Sequence, residues 1–515
     1  MELLHLLKYC LLCLVLTVTI LRFLLPTKPQ AAAGKLPPGP TRLPIIGNIH
    51  NLGAKPHRSL ADLAKKHGPL MSIKLGRITT IVASSPAVAR EILQKHDRIL
   101  SNRHTVLSMK VLDLHKFSMP LLPAEARWRN LRKVCNSYLF TPQKLDSYQE
   151  LRRERVLELL EDVRQVASQR PGEAVDIRRA AFRATLNSLS SSILSLNLGD
   201  VERSETAREF QEHVSGIMEE VGKPNLGDYF PVMGRMDLQG IQKRMKGHLE
   251  NVLNLFQWVI DERVRKIKSD ELYVSPNDML DTLLAIGDDG EGAAAMDPLC
   301  IKHLLWDMFV AGTHTTSSSL EWAMAELLRH PNKLAKVKEE LDKNVGKGNH
   351  LHESDISQLP YLQATVKETL RLRPVSPLLV PRKANEDVEI CGFIVPKGAQ
   401  ILVNIWSIGR DPVVWENPDS FMPERFLGSM IDVRGKDFEL LPFGGGRRIC
   451  PGMSLGLRML HMMLGSLVHW FEWKLPDGVV PEKLDMEEQL GMALHKFKPL
   501  LAIPREDGKI SYKKD

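Results

Sequence analysis

Leu441-Pro-Phe-Gly-Gly-Gly-Arg-Arg-Ile-Cys-Pro-Gly-Met453 is the stretch on which the reading of this chain turns. The residues after it, Ser454 to Phe471, carry apolar side chains three and four apart, which predicts a helix. Cys450 therefore stands just ahead of a helix N-terminus. There the free backbone N–H groups and the positive end of the helix dipole favour an anion, and Arg447 and Arg448 add positive charge. A thiol so placed suits a soft metal. Glycines 444, 445, 446 and 452 let the backbone turn tightly and approach a flat, bulky group with no Cβ in the way. Arg448 is spaced to meet a carboxylate of such a group. A phosphate loop is also glycine-rich, but no Gly-Lys-Ser/Thr ending follows. A buried structural cysteine is the plain alternative.

A second unusual run, Ala311-Gly-Thr-His-Thr-Thr316, falls inside a helix predicted from about Pro298 to Leu328. Glycine and hydroxyl residues weaken a helix interior, because the hydroxyls bond the carbonyl four residues back and glycine costs about 1 kcal/mol against alanine. Glu368 and Arg371 are three apart in the helical stretch Tyr361 to Leu372 and share a face. Trp128 and Arg132, four apart, do likewise. Further apolar spacings in Leu60–Ala64, Val88–Ile92, Leu151–Val163, Leu249–Ile267 and Leu320–Leu328 predict helices. Leu70–Leu75 with Ile78–Val82, and Val388–Ile394 with Gln400–Asn404, read as hairpin strand pairs. Ile286 to Met296 reads as an exposed loop. The fold expected is mainly α with a minor β-sheet.

The 515 residues are 43% hydrophobic and 25% charged, the composition of an ordinary globular protein. A net charge of +7 comes without a zinc-finger spacing, a basic helix with heptads or an aromatic RNA-binding signature, so no nucleic-acid partner is expected. Six cysteines in so long a chain are too sparse for a disulfide framework. Tyr9 to Leu25 is almost continuously apolar, and positive charge at Arg22, Lys28 and Lys35 follows. This reads as a membrane anchor with the following domain in the cytosol. A cleavable signal peptide, with Ala31 to Ala33 at its cleavage site, is the competing reading. Lys35-Leu-Pro-Pro-Gly-Pro40 reads as a stiff linker. The expected organisation is an anchor over 1–26, a Pro-rich hinge over 27–40, one catalytic domain over 41–505 and a tail over 506–515. No dinucleotide-binding Gly-x-Gly-x-x-Gly follows a strand, so electrons for redox chemistry would come from another protein.

These motifs together resemble the cytochrome P450 family, with the haem between the oxygen-groove helix and the cysteine loop. Phe443, Gly446, Arg448, Cys450 and Gly452 match its Phe-x-x-Gly-x-Arg-x-Cys-x-Gly signature at every defined position. Glu368, Arg371 and Arg425 of Pro423-Glu-Arg-Phe426 match the elements that lock the core behind the haem. Trp128, Arg132 and Arg382 resemble the residues that meet haem propionates. Ala311–Thr316 resembles the oxygen-binding groove, except that His314 stands where the family has an acid. The resemblance runs from Leu36 to about Pro504. Details such as Gly68-Pro-Leu-Met-Ser72, Asp228-Tyr-Phe-Pro231 and Glu439-Leu-Leu-Pro-Phe-Gly444 look like the plant microsomal branch that includes geraniol 8-hydroxylase and ferruginol synthase.

The resemblance implies haem b held by Cys450, which gives the iron its proximal thiolate. It implies an NADPH- and O2-dependent monooxygenase of the endoplasmic reticulum membrane, fed by NADPH–cytochrome P450 reductase. Thr315, with His314, would manage protons, and Asp307, two turns away, is a displaced carboxylate to weigh beside them. The substrate surface would come from Arg103–Leu122, Trp306–Thr313, Ser376–Val380 and Leu490–Ala493. These apolar segments suit an apolar small molecule of terpenoid type. Flavonoid or phenylpropanoid hydroxylation, and a reductase-independent isomerase or dehydratase, are the rival readings.

Overall fold

Helix starts in this chain are written in its prolines and short polar residues. Pro56, Pro298, Pro331 and Pro360 each open a helix at its first position, where the missing N–H would have had no partner anyway. Asp176 and Ser204 cap two others, and Asp297 caps the Pro298 helix as well, through side-chain oxygens that accept backbone N–H bonds. The structure, a computed structural model, describes residues 35–200, 204–269, 274–288 and 296–506, together with Tyr9, Leu14 and Thr17. Most of the expected anchor and hinge, the centre of the 286–296 loop and the tail beyond 506 lie outside the described residues.

The principal helices are α1 (Pro56–His67), α2 (Ala126–Val134), α3 (Gln149–Gln169), α4 (Ile177–Leu194), α5 (Glu205–Gly222), α6 (Ile241–Ser269), α7 (Met279–Asp288), α8 (Pro298–Arg329), α9 (Pro331–Asn344), α10 (Pro360–Leu372) and α11 (Met453–Trp470). Helix α8, with 32 residues, runs through the middle and packs on α4, α6, α10 and α11. Its tightest neighbour is α4, whose inner face is built of small residues such as Ala184, Ser188 and Ser192. A Cβ on Gly312 would stand 2.8 Å from Leu189 Cδ1, so glycine there lets the two helices approach closely. The helices share one large apolar core, and two smaller cores underlie the sheet.

That sheet has five strands in the order β1 (Leu70–Leu75), β2 (Ile78–Ala83), β8 (Gln400–Val403), β5 (Arg382–Lys383) and β3 (Asn102–Arg103). β1 and β2 form the expected hairpin, with Leu70 opposite Ala83. The second expected hairpin is different. Val388–Ile390 (β6) turns back at once onto Phe393–Val395 (β7), because Cys391 and Gly392 both take positive φ, 52° and 78°, the geometry of a two-residue hairpin turn. β8 is thereby freed to pair in parallel with β2. Val175–Asp176 (β4), Phe471–Lys474 (β9) and Leu501–Glu506 (β12) form a three-stranded sheet, and Glu488–Leu490 (β10) pairs with Leu494–Lys496 (β11). Among the described residues Cys135, Cys300, Cys391 and Cys450 are free thiols.

Residues 35–40 of the expected hinge lie against the folded body. The Pro37 carbonyl accepts the Ser72 hydroxyl at 2.6 Å and the Pro38 carbonyl accepts the Ser72 N–H at 2.8 Å. Prolines supply acceptors without needing donors satisfied, which suits an edge-strand partner. A Cβ on Gly39 would stand 1.9 Å from the Ser72 carbonyl oxygen. Gly39→Ala is therefore expected to cost about 1–3 kcal/mol through overpacking against backbone, measured as a lowered unfolding midpoint of the purified full chain; an unchanged midpoint would mean that this segment is not docked.

Candidate active site around Cys450

The cysteine loop is held in shape by backbone bonds before any side chain contributes. The Cys450 N–H donates to the Phe443 carbonyl at 3.0 Å, closing the loop on itself. Gly444 and Gly446 take φ of 73° and 66°, which only glycine adopts without strain. A Cβ on Gly446 would stand 2.0 Å from the Leu93 carbonyl oxygen, so this glycine serves the packing of the loop on its neighbour. Gly452, just before α11, is different: a Cβ there would meet nothing within 4 Å.

Cys450 is half-buried. Burial pushes its thiol up from the ordinary value, opposed by the Gly452 N–H, the Arg132 guanidinium and the Met453 N–H. The first residues of α11 thus act on the sulfur as the sequence predicts. The cation is another residue, because Arg447 turns outward toward Asp97 while Arg132, arriving from α2, donates to the Ile449 carbonyl at 2.5 Å.

Arg448 is buried, with its guanidinium 4.5 Å from the centre of the Trp128 ring. It donates to the carbonyls of Ser101, Met119 and Leu122. Arg382 donates to Asp97 at 2.6 Å and to the Gly445 carbonyl at 3.2 Å. Opposite it on β3 stands Arg103, which holds the Pro120 and Val380 carbonyls. Burial, then repulsion from Arg382, pushes Arg448 down to about 9. Arg103 is also held well below its usual value by burial, then by Arg382 and Arg448. Asp97 is the anion acting on all three. Asp97 escaped the sequence reading and Arg103 entered it only as the first residue of the expected substrate loop, since neither belongs to a motif and their partners lie far along the chain.

Buried Arg382 and Arg448 with partly buried Arg103 against one carboxylate leave positive charge that an anionic group would neutralise. A flat group bearing two carboxylates fits this donor set, with Trp128 and Arg132 beside it. The facing helix supports the same fit. Ala311 is exposed midway along the otherwise buried α8, and Gly312 and Thr315 are partly so. Thr315 donates its hydroxyl to the Ala311 carbonyl at 2.6 Å, the local bonding that weakens a helix ladder.

His314 points elsewhere. Its ring packs on Phe182 at 4.8 Å, and its Nε2 lacks a hydrogen-bond partner. Burial, aided by His495 and Arg178, pushes it down to about 4, so it is neutral at physiological pH. Asp307 is occupied by Ser118 and the Met119 N–H, which leaves it engaged with the 103–122 loop. Glu368 and Arg371 lie fully buried, bonded at 2.6 and 2.8 Å. Arg425 reaches Glu368 at 3.1 Å, and both arginines stack near Trp415. This network ties α10 to the carbonyls of 409–420.

The family model for Cytochrome P450 matches residues 37–501. A geraniol 8-hydroxylase of Catharanthus roseus is 50% identical over 469 residues, covering 91% of this chain and 94% of its own length. A drimenol monooxygenase of Persicaria hydropiper is 48% identical over 472 residues, covering 91% and 92%. Among solved structures, a zebra fish cytochrome P450 with progesterone superposes with a TM-score of 0.75 at 26% identity, covering 87% of this chain and 99% of its own.

Removing the anion of the Glu368 network leaves two buried arginines unpaired. Glu368→Ala should cost about 3–5 kcal/mol and appear as a large drop in folded protein and unfolding midpoint; a stability equal to the parent would show that Arg371 and Arg425 are carried by their carbonyl partners alone.

Proposed function

We infer, from the premise that this chain belongs to the cytochrome P450 family and is a haem-thiolate monooxygenase, that it hydroxylates an apolar small molecule of terpenoid class. Dioxygen is the oxidant, and NADPH–cytochrome P450 reductase supplies the electrons. The observation that carries this reading is the half-buried Cys450 just before α11, with the Arg132 guanidinium acting on its sulfur and Arg448 and Arg382 held on the same loop. Printed activities of relatives, on geraniol and drimenol, support the substrate class.

Bound haem supplies an iron at which one atom of dioxygen is inserted into a C–H bond while the other, with two electrons and two protons, leaves as water. The chain's own work is to hold and orient. Cys450 provides the sulfur ligand, its negative charge eased by the Gly452 and Met453 N–H groups and by Arg132. Arg448 and Arg382, with Arg132 and Trp128, are placed to receive the haem carboxylates, which relieves their mutual repulsion. Thr315 keeps an exchangeable proton on the accessible side of α8. His314, neutral and packed on Phe182, adds no charge beside that strip, so the proton-handling role expected of it falls to Thr315.

Of the four expected substrate segments one belongs to α8 itself, and backbone and side-chain bonds hold the other three to their neighbours. The 103–122 loop joins Val380 and Pro381 through Arg103 and His104 and joins α8 through Asp307. Leu494 N–H donates to the Val375 carbonyl, and Gly491 sits against Gly222 of α5. Partly buried Met109, Val111, Leu112 and Leu121 on the first of these segments suit an apolar skeleton.

The membrane is the proposed setting. Among the described residues no helix is long and apolar enough to cross a bilayer, and the apolar Tyr9–Leu25 run falls mostly outside them. Leu43, Ile45, Val232, Met236 and Leu238 are exposed. The segments that bear them meet where Gly76 and Arg77 bond Ile46 and Tyr229. Such a patch fits a lipid surface.

The test is turnover in membranes with reductase, using monoterpenoid and sesquiterpenoid alcohols beside a flavonoid. NADPH-dependent hydroxylation of a terpenoid is expected, and Thr315→Ala should lower product formed per NADPH by about 10²-fold. Turnover of the flavonoid alone would overturn the substrate class, and product formed without NADPH would overturn the monooxygenase chemistry.

A further inference from the structure

Asp307 lies inside the protein on α8, and its two carboxyl oxygens are both spoken for by one loop. Oδ1 accepts the Ser118 hydroxyl at 2.5 Å and Oδ2 accepts the Met119 N–H at 2.6 Å. All three residues are buried. The same short segment is gripped from the other side by the cysteine loop: Arg448 donates to the Met119 carbonyl at 3.3 Å and to the Leu122 carbonyl at 2.5 Å. Residues 118–122 are thus strung between a carboxyl on the helix and a guanidinium beside Cys450.

We infer that Asp307 is a positioning residue, a clasp that sets the height of the 103–122 loop between α8 and the cysteine loop and so determines which carbon of a substrate is presented for hydroxylation. The substrate part rests on the reading that this loop faces the substrate; the clasp itself does not. The choice of residue argues for more than packing, because an asparagine could make both bonds without burying an acid.

Burial pushes the Asp307 carboxyl up to about 7, against the Ser118 and Met119 bonds that favour its charged form. In an opened loop the carboxyl returns to water and to its ordinary value of 3.8. The closed clasp therefore binds the proton more tightly than the open one. Its contribution is full below 3.8, is lost as pH rises through about 7, and is level beyond. Burial shifts the histidines and the thiol around it in directions away from neutral pH. His303, one turn earlier on α8 and stacked 4.8 Å from Phe117, is held below its usual value by burial, as is His115 on the loop. The Cys135 thiol is pushed up to about 12, again by burial first. Arg127 lies over Phe117, and burial pushes Arg448 down to about 9.

The experiment is hydrogen exchange of peptides spanning 116–124 in the haem-replete full chain without substrate. It is read at pH 6 and pH 8 after correction for intrinsic exchange, for the parent, Asp307→Asn and Asp307→Ala. The regioisomer ratio from one terpenoid substrate is measured on the same preparations. Linkage predicts that parent protection falls about 10-fold between the two pH values. Asp307→Asn, which keeps an acceptor for Met119 and a donor for Ser118 without charge, should show equal protection at both. Asp307→Ala should be poorly protected throughout and give an altered isomer ratio. Parent-like protection in Asp307→Ala would overturn the clasp, and lost protection with an unaltered isomer ratio would overturn its positioning role. Since the exchange measurement uses no substrate, failure of the terpenoid reading would be seen separately.

Discussion

Positive charge buried without enough negative charge is the constraint around which this protein is arranged. Arg382 depresses the basicity of both Arg103 and Arg448, and Arg448 that of Arg103, and the fold tolerates them by giving each guanidinium backbone carbonyls to hold. Those carbonyls belong to Ser101, Met119, Pro120, Leu122, Val380 and Gly445. The arginines therefore fasten four separate stretches of chain into one wall. Hydrogen bonds to a charged donor are worth about 1.5–3 kcal/mol each, so the wall is stiff, and an anionic cofactor against it would balance its charge. Cofactor retention and loop order are two readings of the same electrostatics.

Helix α8 forms the opposite wall and has to satisfy conflicting demands. It must pack tightly on α4, which Gly312 permits by letting Leu189 approach. It must also leave an accessible strip, which Ala311 and Thr315 provide. Thr313 and Thr315 bond the carbonyls of Phe309 and Ala311, and Ser319 bonds that of Thr315 at 2.8 Å. Successive hydroxyls turned back onto their own helix loosen its ladder along this strip. His314 sits beside it as a neutral ring, which fits a site where an added buried charge would be costly.

What could be read from the chain and what could not divide along sequence distance. The cysteine loop, the Glu368–Arg371 pair and the helix shared by Trp128 and Arg132 are legible because their geometry is set within one turn of helix or one loop. The helix through 298–328 was legible for the same reason and extends one residue further. Asp97 bonds Arg382 across 285 residues and Ser118 bonds Asp307 across 189, and no local pattern announces such pairs. The strand pairing of 388–404 misled because apolar residues continue through the turn at Cys391 and Gly392. There the deciding feature was a backbone with positive φ at two successive positions, only one of them glycine.

The account stands on Cys450 as the sulfur that meets the cofactor. The most direct measurement is the ferrous carbon monoxide difference spectrum of the expressed full-length protein, recorded beside Cys450→Ala and, as a control thiol, Cys135→Ala. A strongly red-shifted Soret band is predicted in the parent and in Cys135→Ala and absent in Cys450→Ala. Retention of that band in Cys450→Ala, or its absence from folded, haem-replete parent protein, would contradict the assignment and the chemistry built on it.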